Sequence, residues 1–404
     1  MKNRVFVFSE LYFPDESATG YVLSKIAEGL ARFYSVHVLC ATPNRDSGRG
    51  GKGSIEQRNG VTIERCAATN FNKHVLLLRF LNLLTVSISI FWKSLWRLSR
   101  GDLVLVVTNP PSLPFFALAA CRFRGAKCIL LVHDVYPDVL TVTRILRPDA
   151  SLTKFLVLLN KRLYRSVDKI IVLGRDMHEL VCRKLGEQGD RVALVTNWAD
   201  IDEIVPMARS ENRFLGKLNL MGKFVVQYSG NMGRTHGLEA LLDAARMLQG
   251  IVDIHFLLIG SGAKREWVET KARDLKLTNV TLLPPQPRHQ LCEVLNACDL
   301  GIISFIPGMA GVSVPSRMYN VLAASKPIIA VADSESELAR VVQEESVGWV
   351  VPPNRSDEIA AVIREAYHDP ERLTHMGARA RVAAETKYSF ERVMNSYHTL
   401  FAQL

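Results

Sequence analysis

Three short stretches of the sequence set small residues beside cations at spacings suited to gripping an anion. In YSGNMGRTHGLEALLDAA, Gly230, Asn231 and Gly233 stand ahead of Arg234 and His236, and a helical run follows. In GMAGVSVPSRMYNVLAASKPIIAV, residues 308–331, small residues lead through Val314 and Ser316 into Arg317 and Asn320, and the run closes at Lys326-Pro327. Near the amino terminus, SELYFPDESATGYVLSKIAEGL places Ala18, Thr19 and Gly20 at a helix opening. Glycine lets backbone approach a ligand closely, and first-turn amides with the helix dipole favour phosphate. The dipole supplies about 0.3–1 kcal/mol at exposed sites and up to ~2 in sheltered ones. Arg234, Arg317 and Lys326 add full charges. Each loop alone is more readily an ordinary corner. Three of them, each following a strand, point to a phosphate-bearing ligand.

Other chemistries find little support. The sequence contains no G-x-x-x-x-G-K-[ST], and no GxGxxG follows the first strand, which argues against ATPase and dinucleotide readings. IGSGAK, residues 259–264, reads as a tight strand-to-helix turn. Asp200-Ile201-Asp202 matches a short D-x-D pattern but lies in an irregular connection, where acidic residues commonly cap helices. No metal site is expected, so neutralising a phosphate falls to basic side chains and helix termini. The seven cysteines are scattered, with no CxxC pair, and read as reduced thiols of a cytosolic protein.

Positioning these loops requires strands, and the chain supplies two series of them. The first comprises RVFVFS, VHVLCA, VTIERC, LVLVV, KCILLV, KIIVLG and VALVT; the second, KFVVQYSG, DIHFLLIG, NVTLL, LGIIS, KPIIAV and GWVV. Continuous Val/Ile/Leu runs separated by helical stretches indicate parallel strands buried on both faces. Two series predict an α/β protein of two doubly wound, Rossmann-like domains, with the ligand in the cleft between them. The expected boundaries are 1–195 for the first domain and 196–386 for the second. A final helix, 387–404, is expected to pack back toward the first.

The net charge of +10 is unevenly spread. Residues 1–195 hold 28 Lys and Arg against 16 Asp and Glu, a net of +12, while the remainder holds 22 against 24, a net of −2. A basic first half suits nucleic acid, a phosphorylated ligand or a lipid surface, or serves solubility alone. Its most hydrophobic segment, VLLLRFLNLLTVSISIFWKSLWRL (75–98), contains Arg79, Asn82, Lys93 and Arg97. With Ser89 and Arg100 these form a polar stripe opposite a broad apolar face, the pattern of an amphipathic helix. It suits either packing on the sheet or lying in a membrane interface, with Trp92 and Trp96 near the headgroups. The loop RDSGRGGKGS, 45–54, either contacts such an anionic partner or is a plain surface loop.

The ordered set FPDESATG, VHDVYPDVL, VTNWADID, YSGNMGRTHGLEALLDAA, NVTLLPP and VPSRMYNVLAASKPIIA resembles glycosyltransferase family 4. The resemblance covers nearly the whole chain and is most specific across 224–331. It implies a retaining, metal-independent enzyme of the GT-B fold. VTNWAD and GNMGR further resemble the bacterial subgroup that transfers fucosyl or N-acetylfucosaminyl residues in colanic acid and O-antigen synthesis. On this resemblance the catalytic positions are His133, beside the transferred sugar, Asp134, which orients it, and Arg234. The donor-binding positions are Thr19, Gly20, Gly230, Asn231, His236, Val314, Ser316, Arg317 and Asn320, with residues 282–284 bracketing the base. Asn231 and His236 stand where the family carries its two diphosphate-binding cations. Val312 and Asn320 stand where much of the family has two glutamates. An apolar Val312 suits a deoxy sugar. The implied partners are a nucleotide diphosphate sugar, a polyprenyl-diphosphate-linked saccharide and an anionic membrane surface, with no nucleic acid. The implied place is the cytoplasmic face of the cell membrane. Alternatives are a GT-B nucleotide-sugar epimerase and a non-catalytic interaction subunit.

Overall fold

A computed structural model describes residues 3–15, 17–42, 55–69, 71 and 76–404; side chains at 76, 77, 79 and 80 are not described. The segment 45–54 lies outside the described residues. The chain divides into two compact units: Met1–Asp138 with Arg147–Val195 and Met394–Leu404, and Val139–Leu146 with Thr196–Val393.

The first unit is built on an eight-stranded sheet ordered β3-β4-β2-β1-β5-β6-β7-β8. Its strands are β1 (Arg4–Ser9), β2 (Ser35–Ala41), β3 (Ile55–Arg58), β4 (Val61–Cys66), β5 (Leu103–Val107), β6 (Lys127–Val132), β7 (Lys169–Val172) and β8 (Val192–Leu194). All pair in parallel except β3, which runs antiparallel along the edge of β4. The central strands are buried because they are apolar on both faces: every residue of LVLVV in β5 is buried. The edge strand IEQR is polar and half-exposed, and carries no apolar run. Its signature is the turn Asn59-Gly60, where both residues have positive φ (46° and 80°), as a two-residue hairpin requires. The carboxyl-terminal helix Phe390–Ala402 contributes His398 to this unit. Its ring stacks on Phe33 (4.1 Å between centroids), and Tyr34 Oη meets its Nδ1 at 3.1 Å.

The helix Leu76–Arg97 holds both polar and apolar residues against the unit. Asn82 is buried, accepting from Thr69 Oγ1 and the Phe71 amide and donating to the Phe71 carbonyl. Lys93 donates to the Arg65 carbonyl at 2.8 Å and pairs with Glu64, and Arg97 pairs with Glu64 at 2.8 Å. Trp92 and Trp96 face solvent, the latter 86% exposed. Part of the polar stripe is therefore attached, together with the buried Val86 and Ile90, while Trp92 and Trp96 are free. No helix among the described residues is long and apolar enough to cross a membrane.

The second unit carries a six-stranded, all-parallel sheet ordered β11-β10-β9-β12-β13-β14. Its strands are β9 (Phe224–Ser229), β10 (Ile254–Ile259), β11 (Val280–Leu283), β12 (Leu300–Ser304), β13 (Ile328–Val331) and β14 (Gly348–Val351). In chain order within the unit this is 3-2-1-4-5-6, the doubly wound Rossmann arrangement. Leu241, Ala245 and Leu248 of the helix Leu238–Leu248 share a buried core with Val226, Phe256 and Leu258 of the sheet. Arg381 fastens the connection after Thr196 to this unit through the carbonyls of Ile201, Ile204 and Ala323.

Candidate active site

The second sheet reverses its winding between β9 and β12, and open α/β sheets hold ligands at the carboxyl ends of strands beside such a point. Each strand there hands the chain to one of the loops singled out above. Gly230 and Met232 donate their amides to the carbonyls of Ile259 and Ser261, fixing the loop after β9 to the end of β10. On the other side, Ser304 Oγ donates to the Gly237 carbonyl and the Ile306 amide to the Thr235 carbonyl. Gly260 packs so tightly that a Cβ on it would lie 1.9 Å from the Gly230 carbonyl oxygen.

Arg317 reaches into this frame. Its Nη2 donates to His236 Nε2 at 3.1 Å and its Nη1 to the Ser229 carbonyl at 3.4 Å, while the guanidinium lies 4.9 Å from the Tyr228 ring centroid. A Cβ at Gly230, where φ is +143°, would lie 2.9 Å from the guanidinium carbon. His236 is buried, stacked on Phe305 at 5.4 Å, and its Nδ1 lies 3.1 Å from the Ser304 carbonyl. A carbonyl accepts and a guanidinium donates, so the ring is neutral, with its proton on Nδ1. Burial, and then the charge of Arg317, push its pKa down to about 3.

His236 is therefore not a cation. The cations here are Arg317, half-buried and held from four sides, and Arg234. Arg234 is exposed and meets no hydrogen bond or ion pair among the described residues. Asn231 is also exposed. Val312 and Val314 are both buried, and Ser316 caps the helix Arg317–Ala323 without a side-chain bond. Asn320 already accepts the Asp200 amide on Oδ1 at 3.2 Å, leaving its Nδ2 donors and one lone pair for a ligand. The Asp200 carboxylate is taken by Trp198 Nε1 (2.8 Å) and Arg288 Nη2 (2.9 Å). Among the described residues no group of three or more His, Cys, Asp or Glu is placed to hold a metal ion.

The first unit brings together a second set. Its sheet reverses between β1 and β5. Thr108, directly after β5, accepts the amides of His133 (3.1 Å) and Asp134 (3.4 Å) on its Oγ1, binding the loop after β6 to the loop after β5. His133 Nε2 is shut from solvent and has no hydrogen-bond partner, so Asp134 does not hold that nitrogen. Burial lowers the His133 pKa to about 4. After β1, the helix Ala18–Leu30 opens with Ser17 as its cap, which accepts the Gly20 amide at 3.2 Å. That amide is not free for a phosphate. Thr19 is half-buried beside it.

Comparison with known proteins agrees with this arrangement. Residues 18–198 match the glycosyl transferase 4-like domain, and residues 210–383 match the glycosyl transferases group 1 family. A Pseudomonas aeruginosa protein named as the glycosyltransferase WbjE is 31% identical over 388 residues, covering 96% of this chain and 94% of that one. The chain belongs to the glycosyltransferases. This glycosyltransferase is also 23% identical, over 98% of both chains, to an Escherichia coli protein named for colanic acid biosynthesis, WcaI. Among solved structures it superposes on Anabaena HepE in complex with UDP and glucose with a TM-score of 0.76 at 13% identity, over 100% of each chain. The sucrose-phosphate synthase of Thermosynechococcus elongatus gives a TM-score of 0.80 at 17% identity, over 100% and 99%. The fold is GT-B.

Nothing local in the sequence joins His236 to Arg317, which lie 81 residues apart. Only the strand order brings them together.

Proposed function

We propose that this glycosyltransferase moves a sugar from a nucleotide diphosphate sugar to a polyprenyl-diphosphate-linked saccharide, with retention at the anomeric carbon and without a divalent metal. The carrying observation is the Arg317 guanidinium beside Gly230. Two of its five N–H groups are bound to protein, leaving three for an anion at the end of β9. Arg234 adds a mobile second charge. As the glycosidic bond to the diphosphate breaks, negative charge grows on the departing oxygen, and cations already in place stabilise it without reorganisation. Removing one such donor typically costs about 10²–10³ in rate. The leaving phosphate takes the acceptor proton on the same face, which gives retention and demands no side-chain nucleophile. His133, kept neutral by burial, is the residue assigned to the neighbourhood of the transferred sugar. Val312, being apolar, suits a 6-deoxy sugar of the fucosyl type.

The acceptor reading draws support from the surface of the first unit. The helices Leu76–Arg97, Leu113–Arg124 and Ser151–Ser166 carry three, two and four Lys or Arg and no Asp or Glu. Trp92, Trp96, Phe123, Phe155 and Leu158 of these helices are exposed. Aromatic side chains among cations, with no acidic neighbour on the same helices, suit the headgroup layer of an anionic bilayer. These features support a working position at the cytoplasmic face of the cell membrane.

A thermal-shift screen with UDP, GDP, dTDP and ADP, followed by donor turnover in EDTA and NMR of the product anomer, tests the reading. One stabilising nucleotide and a retained anomeric configuration are expected. Inversion, or an epimerised donor with no acceptor product, would overturn it.

A further inference from the structure

We infer that His236 is a positioning residue, a neutral ring whose Nε2 holds the Arg317 guanidinium against Gly230 where the donor's diphosphate binds. The inference rests on the donor-binding reading given above and adds how its principal cation is kept in place.

Both ring nitrogens have roles fixed by their partners. Nδ1 faces a carbonyl oxygen at 3.1 Å and must donate; Nε2 faces a guanidinium nitrogen at 3.1 Å and must accept. The ring cannot take a second proton without breaking the bond to Arg317, and an imidazolium beside a guanidinium is repelled. Stacking on Phe305 fixes the ring plane. The backbone of the same loop is fastened on both sides, with Lys264 Nζ donating to the His236 carbonyl at 2.7 Å and to Glu239 at 2.8 Å. Arg317, by contrast, sits at the start of a short helix on a different loop, and a long side chain loses rotamer freedom when ordered. His236 supplies the ordering in advance. It touches the arginine, and the arginine meets the ligand.

The groups facing His236 are Arg317, Lys264, Tyr228, Phe305 and the Ser304 carbonyl. The two cations among them lower the ring's pKa further, which keeps Nε2 free to accept throughout the working pH range.

The test is calorimetric titration of the full chain with UDP, GDP, dTDP and ADP, using His236→Phe, His236→Gln and His236→Lys. Phenylalanine keeps the stacking and removes the acceptor; glutamine restores an acceptor; lysine places a cation against Arg317. Phe and Lys are expected to weaken binding of the preferred nucleotide roughly 10- to 100-fold, the range for a hydrogen bond to a charged group, and Gln less than either. In an Arg317→Ala background, His236→Phe is expected to cost nothing further. The affinity ratio of wild type to His236→Gln should stay constant between pH 6 and 8, with the ligand's own titration cancelling. A ratio that falls as pH rises would mean an imidazolium binding phosphate directly, and would overturn the inference. Tighter binding by His236→Lys would do the same. A wild-type chain that binds while His236→Phe, correctly folded, binds equally well overturns this inference alone. A wild-type chain that binds none of the four overturns the donor reading and this inference with it.

Discussion

Arg317 and His236 meet at 3.1 Å across the point where the second sheet reverses its winding, one at the start of a helix after β12, the other in the loop after β9. Three further contacts hold the guanidinium: the Ser229 carbonyl, the Tyr228 ring and the bare α-carbon of Gly230. A cation fixed before its ligand arrives spends little on reorganisation, the condition under which electrostatic stabilisation is largest.

Gly230→Ala should damage the site without touching any polar group. The new methyl meets the guanidinium carbon at 2.9 Å, and φ of +143° suits only glycine. Strain of this kind costs about 1–3 kcal/mol. Arg317 is expected to shift, lowering nucleotide affinity at least tenfold while thermal unfolding shows a modest loss. Equal affinity would mean Arg317 takes no part.

Arg317 and Arg234 should differ in kind. Arg317→Lys is expected to lose nearly as much as Arg317→Ala, because an ammonium cannot donate to His236 and Ser229 while presenting a planar edge to phosphate. Arg234→Ala, removing an exposed and unpartnered cation, should lower kcat about 10²-fold with a smaller change in nucleotide affinity. Steady-state kinetics with the preferred donor would separate the two.

Stability should fall on the acid side. The folded-state pKa of His236 is depressed to about 3 by burial and Arg317, below an unfolded value near 6.5. Above about pH 6.5 both states leave it neutral and its contribution is complete. Below that the unfolded chain takes the proton first, and the contribution is lost as pH falls toward the folded pKa. The loss is about 2 kcal/mol between pH 6.5 and 5. His133, depressed to about 4 by burial, acts in the same direction. Denaturant unfolding of wild type and His236→Gln at the two pH values checks this, with a shallower slope expected for the variant.

Trp92 and Trp96 are exposed on the free side of their helix, so replacing both with serine should leave the melting temperature nearly unchanged. Co-sedimentation with phosphatidylglycerol vesicles should fall several-fold, and binding of the native chain should weaken with salt. Unaltered sedimentation would place the lipid contact elsewhere.

Val312 is buried, so a carboxylate there would cost heavily, and Val312→Thr is the sound probe of donor choice. The near-isosteric hydroxyl is expected to raise turnover of fully hydroxylated donors relative to 6-deoxy donors. An unchanged ratio would remove Val312 from specificity.

The strand runs, the two-sheet division and the loops at their carboxyl ends were legible because burial on both faces writes itself as continuous Val, Ile and Leu. The edge strand β3 escaped, since IEQR has no such run and only Asn59-Gly60 marks its turn. The helix Leu76–Arg97 was legible as amphipathic but not in its polar contacts: Glu64 and the Arg65 carbonyl, on β4, engage Lys93, and Glu64 also pairs with Arg97. Asn320 could be placed one turn into its helix, but the Asp200 amide that occupies its oxygen comes from 120 residues away. His236 was legible as a histidine near a phosphate loop. That it stays neutral and serves an arginine depends on Ser304 and Arg317, contacts that no local pattern encodes.

The most direct measurement is calorimetry of UDP, GDP, dTDP and ADP against the full chain, once in EDTA and once in magnesium. One nucleotide is expected to bind with the same affinity in both buffers, and Arg317→Ala to weaken its binding at least as much as His236→Phe does. If no nucleotide binds, or binding appears only with magnesium, arginine is not the diphosphate's counter-charge and the account is wrong.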